Sequence, residues 1–376
     1  MIYLLCHLVS GRSKNGPSQR VAHALWAEYI KFLPRFVPLP TCWSVEEREM
    51  LQGTSLDVAT QAKLSALNAE FEHLRQESSN LSFWQSFLWE NGSATLDDWL
   101  LVDAWYRSRS LELPNAGHAM VPLLDMANHA TEASATYCED VDGNVLLLRT
   151  DGIQEAGYTE VTISYGASKS AAEMLFSYGF IDTATIANEA TIPLTTPIDD
   201  PLIKAKLHIF GAAPTIKLSS DDHSYRWECP FAYLMCLNEE DGLDFRVLQD
   251  DNGDRELRLF WQEEDATERT TEIEVLIKGN PLFAVFRLRA VALVQDCVEA
   301  QLEVARLCDS QRLLQNDKEE AFPTGVRIEM CDRLRSLEMN LLENVMMHLE
   351  SEVSTTYETS YLYIRRLSQR ILPLQI

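Results

Sequence analysis

Long apolar runs are missing from this chain, and so are paired cysteines, glycine-rich phosphate loops and a basic excess. No stretch approaches the ~20 uninterrupted apolar residues of a membrane-crossing helix, so no membrane role is expected. Met1 to Val9 is apolar but short, with no basic residue ahead of it and no small-residue cleavage site after it. A signal peptide is therefore not expected. The eight cysteines (6, 42, 138, 229, 236, 297, 308 and 331) form no C-x-x-C pair and no cluster with zinc-ligand spacing. Reduced thiols in a cytosolic or nuclear compartment follow, with no metal site. No Ser–His–Asp pattern, P-loop or dinucleotide fingerprint is present. Basic residues number 32 against 57 acidic ones, a formal charge of −25. Such a surface repels phosphate backbones and disfavours nucleic acid, while a lysine-rich protein segment would be attracted. On charge alone, solubility is the better explanation.

What is present suffices for two or three ordinary domains. The 376 residues are 46% hydrophobic, in keeping with a soluble globular protein. From Ser18 to about Leu100 the pattern reads as helical. Val21, Leu25, Tyr29 and Ile30 recur at helical spacing, and the helix stops before Pro34. Phe36 to Trp43, with Pro38 and Pro40, reads as an extended connector. Ser44 looks like an N-cap, with Glu47 as its capping-box partner. Leu64, Leu67, Phe71 and Leu74 form the stripe of a second helix. A third starts at Leu96, with Thr95 and Asp97 available as caps.

The character changes after Ser110. Thr136 to Asp140 and Val145 to Arg149 predict two strands joined by a turn around Asp142 and Gly143. Glu160 to Ser164 predicts another, with Val161 and Ile163 pointing inward and Tyr165–Gly166 ending it. A helix from Ser170 to Phe176 leads into Tyr178–Gly179–Phe180. The stretch from Ile192 to Pro201 reads as a domain boundary. Beyond it the chain reads as mostly helical, with one hairpin from Leu243 to Leu248 and Glu256 to Trp261 around Asp251–Asn252–Gly253. Long amphipathic helices run through Val291, Val294 and Val298, and through Leu334, Leu337 and Leu341.

Several strings carry a resemblance in register. The segment MVPLLDMANH, Met120 to His129, matches the pattern M-[VI]-P-x-x-D-x-x-N-H. Ser108–Arg109 lies upstream, and VTISYG (Val161 to Gly166) and YGF (Tyr178 to Phe180) lie downstream. The helical region adds YI-x-x-LP from Tyr29, W-x-x-EE from Trp43 and L-x-GT-x-L from Leu51. Together these resemble SET-domain methyltransferases of the Rubisco large-subunit methyltransferase type, over residues 4 to about 185. A weaker echo in the helical C-terminal region looks like that family's substrate-binding domain.

The resemblance implies an α+β SET fold, with small sheets, a knot-like cofactor site and a helical insert, followed by a mainly helical C-terminal domain. Residues 1–19 would be a remnant leading into the SET region, 20–100 the helical insert, 101–190 the C-terminal half of the SET domain and 195–376 the substrate-binding domain. The glycine-rich strand segment that this family carries before its insert is not found in the chain, which would leave sheet edges unpaired and weaken cofactor binding.

The activity implied is S-adenosylmethionine-dependent methyl transfer to the side-chain amine of a lysine in a non-histone protein. Such an in-line displacement asks the protein to hold two reactants end to end, exclude water and present the amine uncharged. Tyr165 would be the catalytic residue, its hydroxyl near the transferring methyl and the acceptor nitrogen. Arg109 would pair with the cofactor carboxylate. Asn128 and His129 would lie against the cofactor, and Asp125 would position the cofactor or the lysine mouth. Ser108, Tyr178 and Phe180 would form the lysine channel, whose aromatic faces attract an ammonium. Taken singly, these residues admit plainer readings. Asn128–His129 could be a polar turn, Arg109 a surface arginine, Asp125 a helix N-cap, and the aromatics core packing. Two functional alternatives stand beside the first: a SET-like protein-binding module without its cofactor, and a protein-histidine methyltransferase.

Overall fold

A computed structural model of the chain describes residues 1–10, 24–90, 93–150, 160–166, 168–182, 189–196, 200–221, 224–249, 255–315 and 324–371. Two units emerge from it. The first comprises Met1–Ile186 with Glu320–Leu334, and the second Ala187–Glu319 with Arg335–Ile376.

The first unit opens with helices α1 (Ile2–Ser10), α2 (Ala24–Phe32), α3 (Val45–Glu49), α4 (Ser55–Ser79), the single turn α5 (Ser82–Trp84) and α6 (Leu96–Arg109). Val21 lies outside the described residues. Ser44 caps α3 in a full capping box with Glu47, as its spacing predicts. Thr95, rather than Asp97, caps α6, and its box partner is Asp98. The connector from Phe36 to Trp43 contains a 3-10 turn over Pro40–Cys42. Leu5, Val9, Leu39, Leu67, Leu88, Val102 and Trp105 are fully buried at the centre of this helical core.

Two polar anchors fix the end of α6. The Trp105 indole donates to the Pro34 carbonyl at 2.7 Å. Arg107 donates to Phe176 O (2.7 Å), Thr41 Oγ1 (2.6 Å) and Asp103 (3.0 Å), with its guanidinium 4.5 Å from the Phe176 ring. Buried charge paired this way is expensive to disturb, so Ser108 and Arg109 follow from a rigid base.

Short strands then alternate in direction. β1 (Ser110–Leu113) pairs antiparallel with β2 (Gly117–Met120). β3 (Asn128–His129) pairs parallel with β6 (Thr162–Ile163), and β4 (Ala135–Glu139) forms the expected hairpin with β5 (Val145–Arg149). The Asp140 carboxylate accepts the N–H groups of Asp142 and Asn144, and Gly143 supplies the positive φ of the turn. Backbone N–H groups of Ser134 and Thr162 donate to each other's hydroxyls, tying the hairpin base to β6. β6 departs from expectation. Ile163 is buried but Val161 is half exposed, because Val161 precedes the two paired residues and no ladder bond holds it to the core face. Helix α7 (Ala171–Tyr178) starts at the Ser170 cap and ends at Gly179.

The second unit holds more strand than expected. β7 (Glu189–Pro193), β8 (Thr215–Asp221) and β9 (Ser224–Glu228) make one antiparallel sheet, and β10 (Leu243–Gln249), β11 (Arg255–Trp261) and β12 (Glu264–Asp265) another. The stretch read as a boundary from Ile192 therefore begins inside a strand. Ala190 and Ile192 face the core opposite Ile216 and Leu218, and Pro193 is tolerated at the strand end, where a missing N–H costs least. The turn expected at Asp251–Gly253 lies outside the described residues. Helices α8 (Ile203–Phe210), α9 (Pro230–Cys236), α10 (Ile273–Ile277) and α11 (Phe283–Gln315) surround Phe231, Phe286, Val291, Val294 and Val298 in this core. Lys206 is buried on α8, its ammonium donating to Asp200 (2.9 Å), Met235 O (2.9 Å) and Leu237 O (2.8 Å), so all three of its protons are used. Helix α12 (Thr324–Ile371) begins in the first unit. There Arg327 pairs with Glu47 and lies over Phe36 and Trp43.

Candidate functional site

Arg109 and Asp125 meet across the gap between α6 and a 3-10 turn at Leu124–Met126. Leu123 precedes that turn at φ +76°, a left-handed conformation that costs an alkyl side chain about 1–3 kcal/mol. Leu123, not Asp125, thus holds the cap position. Asp125 sits inside the turn with its side chain fully buried. The Tyr29 hydroxyl donates to Asp125 Oδ2 at 2.6 Å. Arg109 Nη1 donates to the Asp125 carbonyl (3.1 Å), lies 3.4 Å from Met126 Sδ and is 3.5 Å from Asp125 Oδ2. Burial pushes the Asp125 carboxyl up, while the Tyr29 hydrogen bond and the Arg109 charge pull it back.

The parallel β3–β6 pair brings His129 beside Tyr165. His129 Nδ1 accepts the Tyr165 N–H at 3.1 Å, so a neutral imidazole carries its proton on Nε2. That atom faces Asp182 Oδ2 at 3.3 Å, a carboxylate that the Thr131 hydroxyl also contacts. Tyr165 donates its own hydroxyl to the Ala127 carbonyl at 2.9 Å. The Tyr165 and Tyr178 rings are 4.6 Å apart, and Phe180 packs on both Tyr165 and His129. Burial raises both phenols above their ordinary value. Gly179 makes the Tyr-Gly-Phe corner possible. Its φ is +82°, and a Cβ there would lie 2.7 Å from the Pro38 carbonyl oxygen.

Ser108, Arg109, Asp125, Tyr165 and Tyr178 line one cavity of about 320 Å³. Three residues expected at the site do not line it. Asn128 is exposed and donates to Glu160 at 2.5 Å. His129 supports Tyr165 through the backbone, and Phe180 closes the aromatic cluster against His129. Two residues that motif reading did not assign now join. Lys169 lines the cavity, with its ammonium 5.7 Å from the Tyr178 ring and paired to Glu173. Tyr29 reaches Asp125 from helix α2. Tyr29 sits in the YI-x-x-LP string, but nothing local signals a partner 96 residues away.

Comparison with known proteins fits this geometry. Over 333 residues the chain is 28% identical to a SET domain-containing protein 8 from Schizosaccharomyces pombe, covering 88% of this chain and 72% of that one. Its homologues are SET-domain proteins and Rubisco methyltransferase-like enzymes. One is the [fructose-bisphosphate aldolase]-lysine N-methyltransferase, chloroplastic, of Arabidopsis thaliana. It is 29% identical over 195 residues, 49% of this chain but only 39% of that one. No family model matches. A crystal structure of the SET domain of LSMT bound to lysine and AdoHcy superposes with a TM-score of 0.64 at 20% identity, covering 99% of this chain and 79% of that chain. The fold is thus the expected SET fold with a helical C-terminal region.

Two polar atoms of residues that line this cavity are uncommitted. Arg109 Nε and Asp125 Oδ1 are buried without a hydrogen-bond partner among the described residues. One is a donor and the other an acceptor, the complement of a carboxylate beside an ammonium. Buried polar atoms left this way cost ~1–3 kcal/mol each until a ligand or water meets them.

Proposed function

We propose that this chain is an S-adenosylmethionine-dependent protein-lysine N-methyltransferase that modifies a basic segment of a non-histone protein in the cytosol or nucleus. The convergence of Arg109, Asp125, Tyr165 and Tyr178 on one cavity carries this reading. S-adenosylmethionine supplies an activated methyl group when bound. Arg109 would hold its carboxylate through the unpaired Nε, and Asp125 its ammonium through Oδ1. Asn128 and His129 flank the site, His129 holding the Tyr165 backbone at the edge of the cavity.

The chemistry left to the protein is positional. The Tyr165 hydroxyl, held against the Ala127 carbonyl, presents an oxygen dipole beside the acceptor amine. Tyr178 supplies an aromatic face that draws in an ammonium, with Phe180 packed against it, and burial favours the neutral, nucleophilic form of the amine. The acceptor ammonium gives its proton to solvent water before transfer, which removes any need for a strong base in the cavity. A net charge of −25 suits a lysine-rich target, and the eight free thiols suit a reducing compartment.

Calorimetry of the chain with S-adenosylmethionine tests the first half of this reading. Micromolar binding is expected, and none at millimolar cofactor refutes it. Mass spectrometry of lysate proteins treated with the enzyme and isotope-labelled cofactor tests the second half. Label on lysine is expected, whereas label on histidine alone would replace the lysine assignment.

A further inference from the structure

The functional reading leaves the helical insert without a chemical part in the site, yet one insert side chain reaches the Asp125 carboxylate. Tyr29 is only 7% exposed. Its ring packs edge-on against Trp26, which packs against Tyr3, so the phenol is anchored in the helical core. Its hydroxyl takes Asp125 Oδ2 at 2.6 Å, a short charge-assisted bond. With Oδ2 occupied by Tyr29 and approached by Arg109, Oδ1 is the oxygen buried without a partner among the described residues.

We propose that Tyr29 is a positioning residue of the cofactor site, acting through Asp125 on Arg109, so that the helical insert sets the affinity for the amino-acid end of S-adenosylmethionine. This rests on the methyltransferase reading above. The geometry gives Tyr29 two tasks. It fixes the carboxylate by holding Oδ2 beside Arg109, which leaves Oδ1 uncommitted. It also supplies a hydrogen bond that only the ionised carboxylate uses fully, holding Asp125 charged against its burial. The charged and titratable groups around Asp125 are Tyr29 from α2, Arg109 from α6 and Tyr165 from the end of β6. Of these, Arg109 also favours the ionised form, so removing Tyr29 weakens the bias without abolishing it.

The sign of the pH effect follows. A cofactor ammonium on Oδ1 requires the carboxylate, so binding fades as pH falls through the Asp125 pKa. Without the Tyr29 bond that pKa rises further, and the acid limb moves to higher pH.

The experiment compares the full chain with Tyr29→Phe, Asp125→Asn and the double variant, by calorimetry with S-adenosylmethionine between about pH 5 and about pH 7.5. Tyr29→Phe keeps the ring that packs on Trp26. It is expected to weaken binding about tenfold near neutrality, the scale of a charged hydrogen bond, and to shift the acid limb upward. In the double variant the Tyr29 effect should vanish, because its route runs through Asp125. Wild-type affinity and an unmoved acid limb in Tyr29→Phe, or additive losses in the double variant, overturn the proposal. Carbon-13 titration of the Asp125 carboxyl without cofactor gives a second readout. An upward shift in Tyr29→Phe supports the coupling, and no shift refutes it even if wild-type protein binds no cofactor and the methyltransferase reading falls.

Discussion

Replacing Gly179 by alanine puts the Tyr178–Gly179–Phe180 corner under a measurable load. Gly179 ends α7 in the left-handed region at φ +82°, donating its N–H to Leu175 O. An alanine there pays about 1–2 kcal/mol for the left-handed conformation alone. Its Cβ would also lie 2.7 Å from the Pro38 oxygen, 2.8 Å from Pro38 Cγ and 2.9 Å from the Pro38 carbonyl carbon. These are backbone and ring atoms that cannot rotate away, so the chain must shift, at about 1–3 kcal/mol for a small overpacked group. The total of ~2–5 kcal/mol corresponds to a melting shift of about 4–20 °C for a unit of roughly 200 residues. Gly143→Ala in the β4–β5 turn is the internal control. Its φ is +79°, but no heavy atom lies within 4 Å of the added methyl, so it carries the conformational term only. Thermal melts of both variants followed by circular dichroism separate the two contributions. Equal shifts would mean that the approach of Pro38 to the corner carries no energy. Since Tyr178 lines the cavity, Gly179→Ala should also raise the KM for the protein substrate, whereas Gly143→Ala should not.

Other outcomes follow from the same geometry. Tyr165→Phe should lower kcat by about 10²–10³-fold, the scale of one lost polar contact to a transition state. Cofactor affinity should stay within about threefold; single-turnover kinetics beside calorimetry check this, and an unchanged kcat would remove Tyr165 from the chemistry. Because burial raises the Tyr165 phenol above its ordinary value of 10.0, it stays protonated where a free tyrosine begins to ionise. The kcat/KM profile should therefore rise from about pH 7 to about pH 10 with deprotonation of the acceptor amine, and a falling limb within that range would contradict the assignment. Lys206→Met should destabilise the second unit by about 3 kcal/mol, since Asp200 and two carbonyls lose a partner at once. Denaturant unfolding reads this directly, and a loss below ~1 kcal/mol would show that the ion pair is energetically idle.

Much of this architecture is visible in local chemistry. The Ser44–Glu47 box and the Asp142–Gly143 turn each depend on residues within about four positions of one another, and each forms as spaced. The β7–β9 sheet escapes the same reading because its inward residues are few. Ala190 and Ile192 alternate over only five residues, a run too brief to stand against the prolines that follow. Val161 shows the opposite failure. Period-2 alternation puts it on the Ile163 face, but facing is enforced only where a ladder exists, and the ladder starts one residue later.

The site divides along the same line between local and long-range information. Motif spacing identifies Arg109, Asp125, Tyr165 and Tyr178, and these line the cavity. It also groups Asn128, His129 and Phe180 with them, although they stand beside or behind it. A linear pattern records which residues recur together; it cannot separate a side chain that touches a ligand from one that holds another in place. His129 illustrates the difference. Its Nδ1 fixes the Tyr165 N–H and its Nε2 faces Asp182, so both polar atoms are spent on the protein and neither is left for a ligand. Arg109 Nε and Asp125 Oδ1 are the reverse case, buried and unspent. Counting which polar atoms remain uncommitted therefore sorts the motif where spacing does not. By that count Arg109 and Asp125 hold the uncommitted atoms, with Tyr29 bonded to the other Asp125 oxygen, while His129 holds the Tyr165 backbone.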